Sequence, residues 1–192
     1  MEKRWIKAAT LLQPSIEVCG KRLLSFSLRH RVALEAINSP VLVPEKPMTA
    51  KHLVAAAKIL SSNSIEEIAT GATLRERFWV SRMQFSPDIL VYETAKLVAY
   101  LNAQALWPRF WEKEGGANKS GIPWQLVVVA SLIRNGCSLE EAWTMPEAEA
   151  IWLHTAHSAS LGADVAVMSD ADWDAIQKYK TQSQDKPKTT RN

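Results

Sequence analysis

Glycine and cysteine are both scarce in this chain. It contains 7 glycines and 2 cysteines in 192 residues. Sandwiches and barrels need many tight turns, which glycine commonly supplies, so the low glycine content argues against them. Cys19 and Cys137 lie far apart and belong to no Cys-x-x-Cys or Cys/His pattern. This spacing favours a reduced intracellular pair over a disulfide.

No stretch of the sequence is apolar for long enough to cross a membrane. The longest largely apolar run covers residues 126–133 and includes Ser131, whereas a membrane-spanning helix needs about 18 or more such residues. The basic N-terminal stretch also lacks the apolar core of a signal peptide. We therefore expect neither a membrane span nor a secretion signal.

The sequence has no convincing phosphate-binding loop. Residues 115–120, GGANKS, are superficially similar to the pattern GxxxxGK[ST], but Asn118 stands where the glycine before the lysine is required. The residues upstream do not form a predicted strand. We interpret the segment as a flexible surface loop.

Metal ligands and catalytic carboxylates are also lacking. His154 and His157 share one face of a predicted helix, but zinc needs three or four protein ligands and nothing nearby completes the set. Acidic pairs lie in the first turns of predicted helices, where capping and the helix dipole explain them. These pairs are Glu66/Glu67, Glu140/Glu141 and Glu147/Glu149. We expect no catalytic activity, no metal and no cofactor.

The positive charge is concentrated at one end of the chain. The net charge is +3, but residues 178–192 carry five cations and one anion, so the remainder has a net charge of −1. A basic tail can contact nucleic acid, although a solvated end is the simpler interpretation. We do not expect nucleic acid as the main partner.

What the sequence does contain is a succession of helix start and stop patterns. Thr49 precedes a segment whose apolar residues recur at helical spacing. Ser64, Ser138 and Thr144 each have the spacing of a capping box. Gly136 follows an asparagine and predicts a left-handed helix stop. Residues 15–26 alternate loosely around a Cys-Gly-Lys turn, which indicates a small β-hairpin.

The helix that begins after Pro123 is apolar on most sides, which predicts a central, buried helix. We therefore expect a mainly α fold of about seven helices, an irregular multi-helix bundle around this buried central helix, with a small N-terminal β-hairpin. The expected single domain covers residues 1–179, with a hairpin at 15–26, a first helical part at 28–111, a flexible loop at 112–121, a second helical part at 122–179, and a disordered basic tail at 180–192.

Two groups of side chains are candidates for binding a partner. Trp107, Phe110 and Trp111 cluster beside the expected flexible loop, and large aromatic side chains at the end of an element are either core or contact residues. Arg75 and Arg82, with Arg77 between them, lie on one predicted helix, as a solvated face or as a contact for an acidic partner or nucleic acid.

Two blocks of the sequence resemble small proteins of long-tailed bacteriophages known as tail assembly chaperones. The first is VCGKRLLSFSLRH at residues 18–30, followed by LEAINSP at 34–40. The second is PWQLVVVASLIR at residues 123–134, followed by SLEEAW at 138–143 and the helix at Pro146. The resemblance implies a mostly helical protein that binds the tape-measure protein and assists tail assembly without catalysis.

On this basis we expect a non-enzymatic assembly factor that binds a tape-measure or other tail protein in the host cytoplasm, or in the virion. Its contact surface should be apolar and aromatic. Two alternatives stay open. One is a structural virion component, such as a connector or head–tail joining subunit, and the other is a helical nucleic-acid-binding protein.

Overall fold

The chain folds into helices and one short hairpin. The computed structural model describes residues 3–10, 16–43, 45–111 and 121–184. These residues form ten helices rather than the expected seven, and the prediction of a mainly α fold with a small hairpin is confirmed. The elements are α1 Lys3–Ala9, β1 Glu17–Val18, β2 Lys21–Arg22, α2 Leu28–Ala36, α3 Ala50–Leu60, α4 Ile65–Ala69, α5 Leu74–Phe85, α6 Pro87–Gln104, α7 Trp124–Arg134, α8 Leu139–Thr144, α9 Glu147–Ser160 and α10 Asp170–Gln184.

The hairpin turns at the predicted place and is anchored to α6. Strands β1 and β2 pair antiparallel with Val18 opposite Lys21. The two turn residues, Cys19 and Gly20, have φ values of 50° and 69°, as a type I′ turn requires. The Cys19 N–H donates to the Glu93 carboxylate at 2.7 Å. This bond fixes a hairpin that would be marginal alone.

Side-chain hydroxyl groups cap at least half of the helix starts in the described residues. Hydroxyl groups of Ser27, Thr49, Ser64, Thr73 and Ser138 each accept an N–H from the first turn of the following helix. Such a bond satisfies one of the backbone donors that a helix start leaves without an intrahelical partner. The starts predicted at Thr49, Ser64 and Ser138 are therefore confirmed.

The central buried helix is α3, and the prediction that the helix after Pro123 fills this role is wrong. Seven of the eleven residues of α3 are buried, and the helix contacts α2, α5 and α6. In α7, by contrast, Leu126 is 47% exposed and Ile133 is 42% exposed. One side of α7 packs on α8 and α9, and the opposite apolar side faces solvent. Apolar residues all around a helix therefore did not imply burial all around.

Helix α2 contributes to two apolar cores. Its Leu34 belongs to a cluster with the hairpin, α3, α5 and α6, while its Leu28 belongs to a second cluster with α7, α8 and α9. Both leucines are fully buried. The site described below lies between the two cores, where α2 contacts the start of α9.

The C-terminal end of the fold is helical for longer than expected. Helix α10 continues to Gln184, so the first five residues of the expected disordered tail, 180–184, are helical. The rest of that tail, 185–192, and residues 112–120 of the expected flexible loop lie outside the described residues. Within the described ranges, no helix is long and apolar enough to span a membrane.

Candidate functional site

The segment that follows α6 is held in place by side chains from α1 and α9. Arg4 on α1 donates to the carbonyl oxygens of Ala105, at 2.7 Å, and Trp107, at 3.3 Å. The indole N–H of Trp152 on α9 donates to the carbonyl of Leu106 at 2.9 Å. These bonds satisfy backbone groups beyond the end of α6, so the segment has a defined path without regular secondary structure.

The same segment pairs with the stretch before α10. Phe110 forms an antiparallel bridge with Val167, and the Trp111 N–H donates to the Ala166 carbonyl at 3.2 Å. The side chains of Phe110 and Trp111 remain 47% and 44% exposed. The backbone is thus fixed while the aromatic rings stay accessible.

Aromatic rings from this segment and from α7 border a cleft of about 630 Å³. Trp107 and Phe110 line it from the segment after α6, and Trp124, 39% exposed, lines it from the start of α7. We call this the aromatic cleft. The remaining lining residues are Arg31, Pro108, Val127, Val128, Glu147, Ile151, His154 and Thr155.

An ion pair lies at the floor of the aromatic cleft. The guanidinium of Arg31 on α2 donates to both carboxylate oxygens of Glu147. Its centre also lies 5.4 to 5.9 Å from the ring centroids of Phe26, Trp107 and Trp124. At this range a cation is attracted to the faces of aromatic rings. Arg31 therefore lies close to rings from both the segment after α6 and the start of α7.

Glu147 is a deeply buried carboxylate. Its side chain is 2% exposed, and its backbone N–H donates to the Phe26 carbonyl at 2.7 Å. Burial raises the pKa of the Glu147 carboxyl above its usual value, with Arg31 acting in the opposite direction. Burial, and then the nearby Glu147 charge, also raises the pKa of Tyr100. The floor of the cleft is therefore a desolvated, internally paired charge cluster.

His154 is the polar side chain of the cleft that has spare hydrogen-bonding capacity. Its Nδ1 is buried and has no hydrogen-bond partner. Burial and the neighbouring His157 lower the pKa of His154, which favours the neutral ring at pH 7. Among the described residues, no group of three or more His, Cys, Asp or Glu side chains is placed to hold a metal ion.

The structure separates the five predicted partner-binding residues. Trp107 and Phe110 line the aromatic cleft, and Trp111 lies beside it without lining it. Arg75 and Arg82 are both on α5, outside the cleft. The Arg82 guanidinium lies 5.1 Å from the Trp79 ring centroid, and Arg75 lies against Gly20 in the hairpin turn.

Sequence reasoning missed Arg31, Trp124, Glu147 and His154 as parts of one site. The predicted capping box that begins at Thr144 does not form, because α9 begins at Glu147 with Pro146 as its N-cap residue, and the Glu147 N–H donates to the Phe26 carbonyl instead. The Glu147 carboxylate, which was expected to complete that box, forms the ion pair with Arg31. No local pattern marks this contact, since the two residues are 116 positions apart.

No family model matches this chain, and no curated protein or solved structure is significantly similar to it.

Proposed function

We propose that this protein is a non-enzymatic assembly factor of a long-tailed bacteriophage that binds a tail protein, such as the tape-measure protein, through the aromatic cleft. The observation that carries the proposal is the set of rings around an open cleft on a fixed backbone: Trp107 is partly exposed, and Phe110 and Trp124 are 47% and 39% exposed. Tryptophan and other large aromatic residues dominate the binding energy of many protein interfaces.

The chemistry of the cleft supports an apolar guest. Arg31 and Glu147 neutralise each other at the floor, so neither presents an unpaired charge to a partner. The walls are mainly aromatic and aliphatic. An apolar side chain or a helical turn of a partner would bury this surface and gain the hydrophobic free energy.

The two sequence blocks that resemble tail assembly chaperones contribute to the same site. The block at residues 18–30 contains Phe26, which contacts Arg31, and the block at 123–134 contains Trp124. This overlap favours a tail protein as the partner over the structural virion and nucleic-acid alternatives.

The test is co-expression of the full chain with the tail proteins of the same genome, followed by affinity capture and titration. We expect the tape-measure protein to be captured. Replacing Trp107 and Phe110 together by alanine should weaken binding by roughly 30-fold or more, as loss of a central contact residue does. Phe85→Ala is a control of the same chemistry, because Phe85 is 89% exposed on α5, outside the cleft.

Two results would contradict the proposal. One is a wild-type chain that captures no tail protein. The other is a cleft variant that binds as tightly as the Phe85→Ala control. Stable rings of the isolated chain in mass photometry would favour a structural virion role instead.

A further inference from the structure

A second concave surface lies on the N-terminal core, between α2, α3, α4 and α5. Its main cavity measures about 700 Å³ and continues into a smaller cavity of about 280 Å³ that shares Ala33, Ala36 and Ile68 with it. We call the two together the α2–α5 groove. The groove and the aromatic cleft have no lining residue in common.

The floor of the α2–α5 groove is apolar and fits small or medium side chains. Val54 and Ile59 of α3, which are 6% and 4% exposed, line it together with Ile68 of α4 and Val80 of α5. Ile37 stands at one edge and is 49% exposed. Alanines supply much of the remaining lining, which leaves room for the ridge of a helix to approach closely.

Cations occupy the rim of the α2–α5 groove. Lys51 and Arg77 are exposed and, within the described part of the chain, neither takes part in an ion pair. Lys58 donates to the carbonyls of Thr70 and Gly71. The main cavity has one carboxylate in its lining, Glu76.

Glu76 does not offset the positive rim. Its side chain is 4% exposed and lies 3.2 Å from the Lys21 ammonium. Its other oxygen accepts the Thr73 N–H at 2.9 Å. The electrostatic surface that a ligand meets at the groove is therefore positive.

We propose that the α2–α5 groove is the docking site for an acidic amphipathic helix of another protein. The apolar face of the helix lies along Val54, Ile59 and Val80, and its Asp or Glu side chains pair with Lys51 and Arg77. Helix-in-groove binding is a common recognition mode, and a partner helix of about three turns would span roughly 16 Å. This site goes beyond the proposed function, because it is a separate surface with a different chemistry.

The test uses the full chain and two synthetic peptides of about 18 residues, long enough for five helical turns. Both have leucine and alanine on one face; one has glutamate and the other lysine on the opposite face. In fluorescence anisotropy we expect the acidic peptide to bind at least about tenfold more tightly, since two rim ion pairs contribute together.

Matched variants locate the binding site. The double variant Lys51→Glu/Arg77→Glu should reverse the preference between the two peptides. The control Arg134→Glu/Lys178→Glu makes the same change of charge on α7 and α10, outside the groove. This control should keep the preference for the acidic peptide. Ile37→Glu should abolish binding of the acidic peptide, and Trp107→Ala, in the aromatic cleft, should leave it unchanged.

The proposal is overturned by equal affinity for the two peptides, or by affinities that the Lys51→Glu/Arg77→Glu change does not alter. It is also overturned if sedimentation velocity shows a concentration-dependent dimer that Ile37→Glu dissociates, because the groove would then hold a second copy of this chain. Circular dichroism checks that each variant is folded. If Ile37→Glu unfolds, the peptide preference of the Lys51→Glu/Arg77→Glu variant alone tests the proposal. If the wild-type chain captures no tail protein but still binds the acidic peptide, the proposed function is contradicted and the docking proposal for the α2–α5 groove is not.

Discussion

Arg31 and Glu147, 116 residues apart in the sequence, form a bidentate ion pair at the floor of the aromatic cleft. The pair connects α2 to the first turn of α9. It also connects the two apolar cores, because Leu34 of α2 belongs to one core while Ala150 of α9 belongs to the other. The cleft therefore depends on a contact between the two helical parts of the chain.

Breaking this pair from one side should be strongly destabilising. Glu147→Ala leaves the Arg31 guanidinium half-buried without its carboxylate, which typically costs about 3–5 kcal/mol. The double variant Arg31→Met/Glu147→Leu removes both charges together and should be less destabilising than Glu147→Ala. Urea unfolding followed by circular dichroism measures the free energy of unfolding of each variant.

The pair between Arg29 and Glu140 is the control for the pair between Arg31 and Glu147. Its carboxylate is 68% exposed, and the Arg29 side chain, itself 13% exposed, also donates to the Asn63 carbonyl at 2.6 Å. Glu140→Ala therefore leaves Arg29 with a hydrogen-bond partner and should be less destabilising than Glu147→Ala. If Glu147→Ala is no more destabilising than Glu140→Ala, the buried ion pair does not hold the two helical parts together.

Local features of this fold were predictable from the sequence. The cap at Ser138 and the helix stop at Gly136 depend on residues within four positions of each other, and both form as expected. The same is true of the hairpin turn, where Cys19 and Gly20 adopt positive φ. A short pattern is sufficient in these cases because the interacting backbone groups are close in the chain.

Long-range features were not predictable in the same way. Glu147 has the spacing of a capping residue, and only the fold brings it to Arg31. Trp124 follows a proline at a helix start and gives no sign that it lines the same cleft as Trp107. For the candidate site, the sequence therefore indicated the aromatic residues of the segment after α6 and neither Trp124 nor the ion pair.

A second prediction concerns acid stability and follows from His30. Burial lowers the pKa of His30 from 6.5 to about 4. Its Nδ1 accepts the Ser27 N–H, and its Nε2 lies 3.0 Å from the Ser62 carbonyl. The two bonds together select the neutral ring with the proton on Nε2.

Between pH 6.5 and 4 the unfolded chain binds a proton at His30 that the folded chain does not, so stability rises with pH in this range. We expect the free energy of unfolding to fall by up to about 3 kcal/mol from this group as the pH decreases from 7 to 4. Chemical denaturation at several pH values measures the change. The His30→Gln variant should lack this part of the slope, and equal slopes in both proteins would contradict the assignment.

A third prediction concerns the two free thiols. Cys19 is 2% exposed, and burial, with the Glu93 charge adding to it, raises the pKa of its thiol to about 12. Cys137 is partly exposed. Because the thiolate is the reactive form, iodoacetamide at pH 8 should alkylate Cys137 and spare Cys19 in the folded protein.

Peptide mass spectrometry identifies the modified residue. In concentrated guanidinium chloride both thiols should react, which serves as the control for intrinsic reactivity. Equal modification of Cys19 and Cys137 under native conditions would show that the hairpin opens on the timescale of the reaction, and that the Glu93 anchor does not keep it closed.

The last prediction separates two tryptophans near the candidate site. Trp124 lines the aromatic cleft and Trp111 does not, although the two residues are similarly exposed, at 39% and 44%. If a tail protein binds in the cleft, Trp124→Ala should weaken its binding by about 30-fold, as for a central contact residue. Trp111→Ala removes a similar exposed ring at the edge and should change the affinity by less than about threefold. Titration of the captured partner against both variants measures the difference, and a larger loss with Trp111→Ala would place the contact on the outer surface of the segment after α6 rather than inside the cleft.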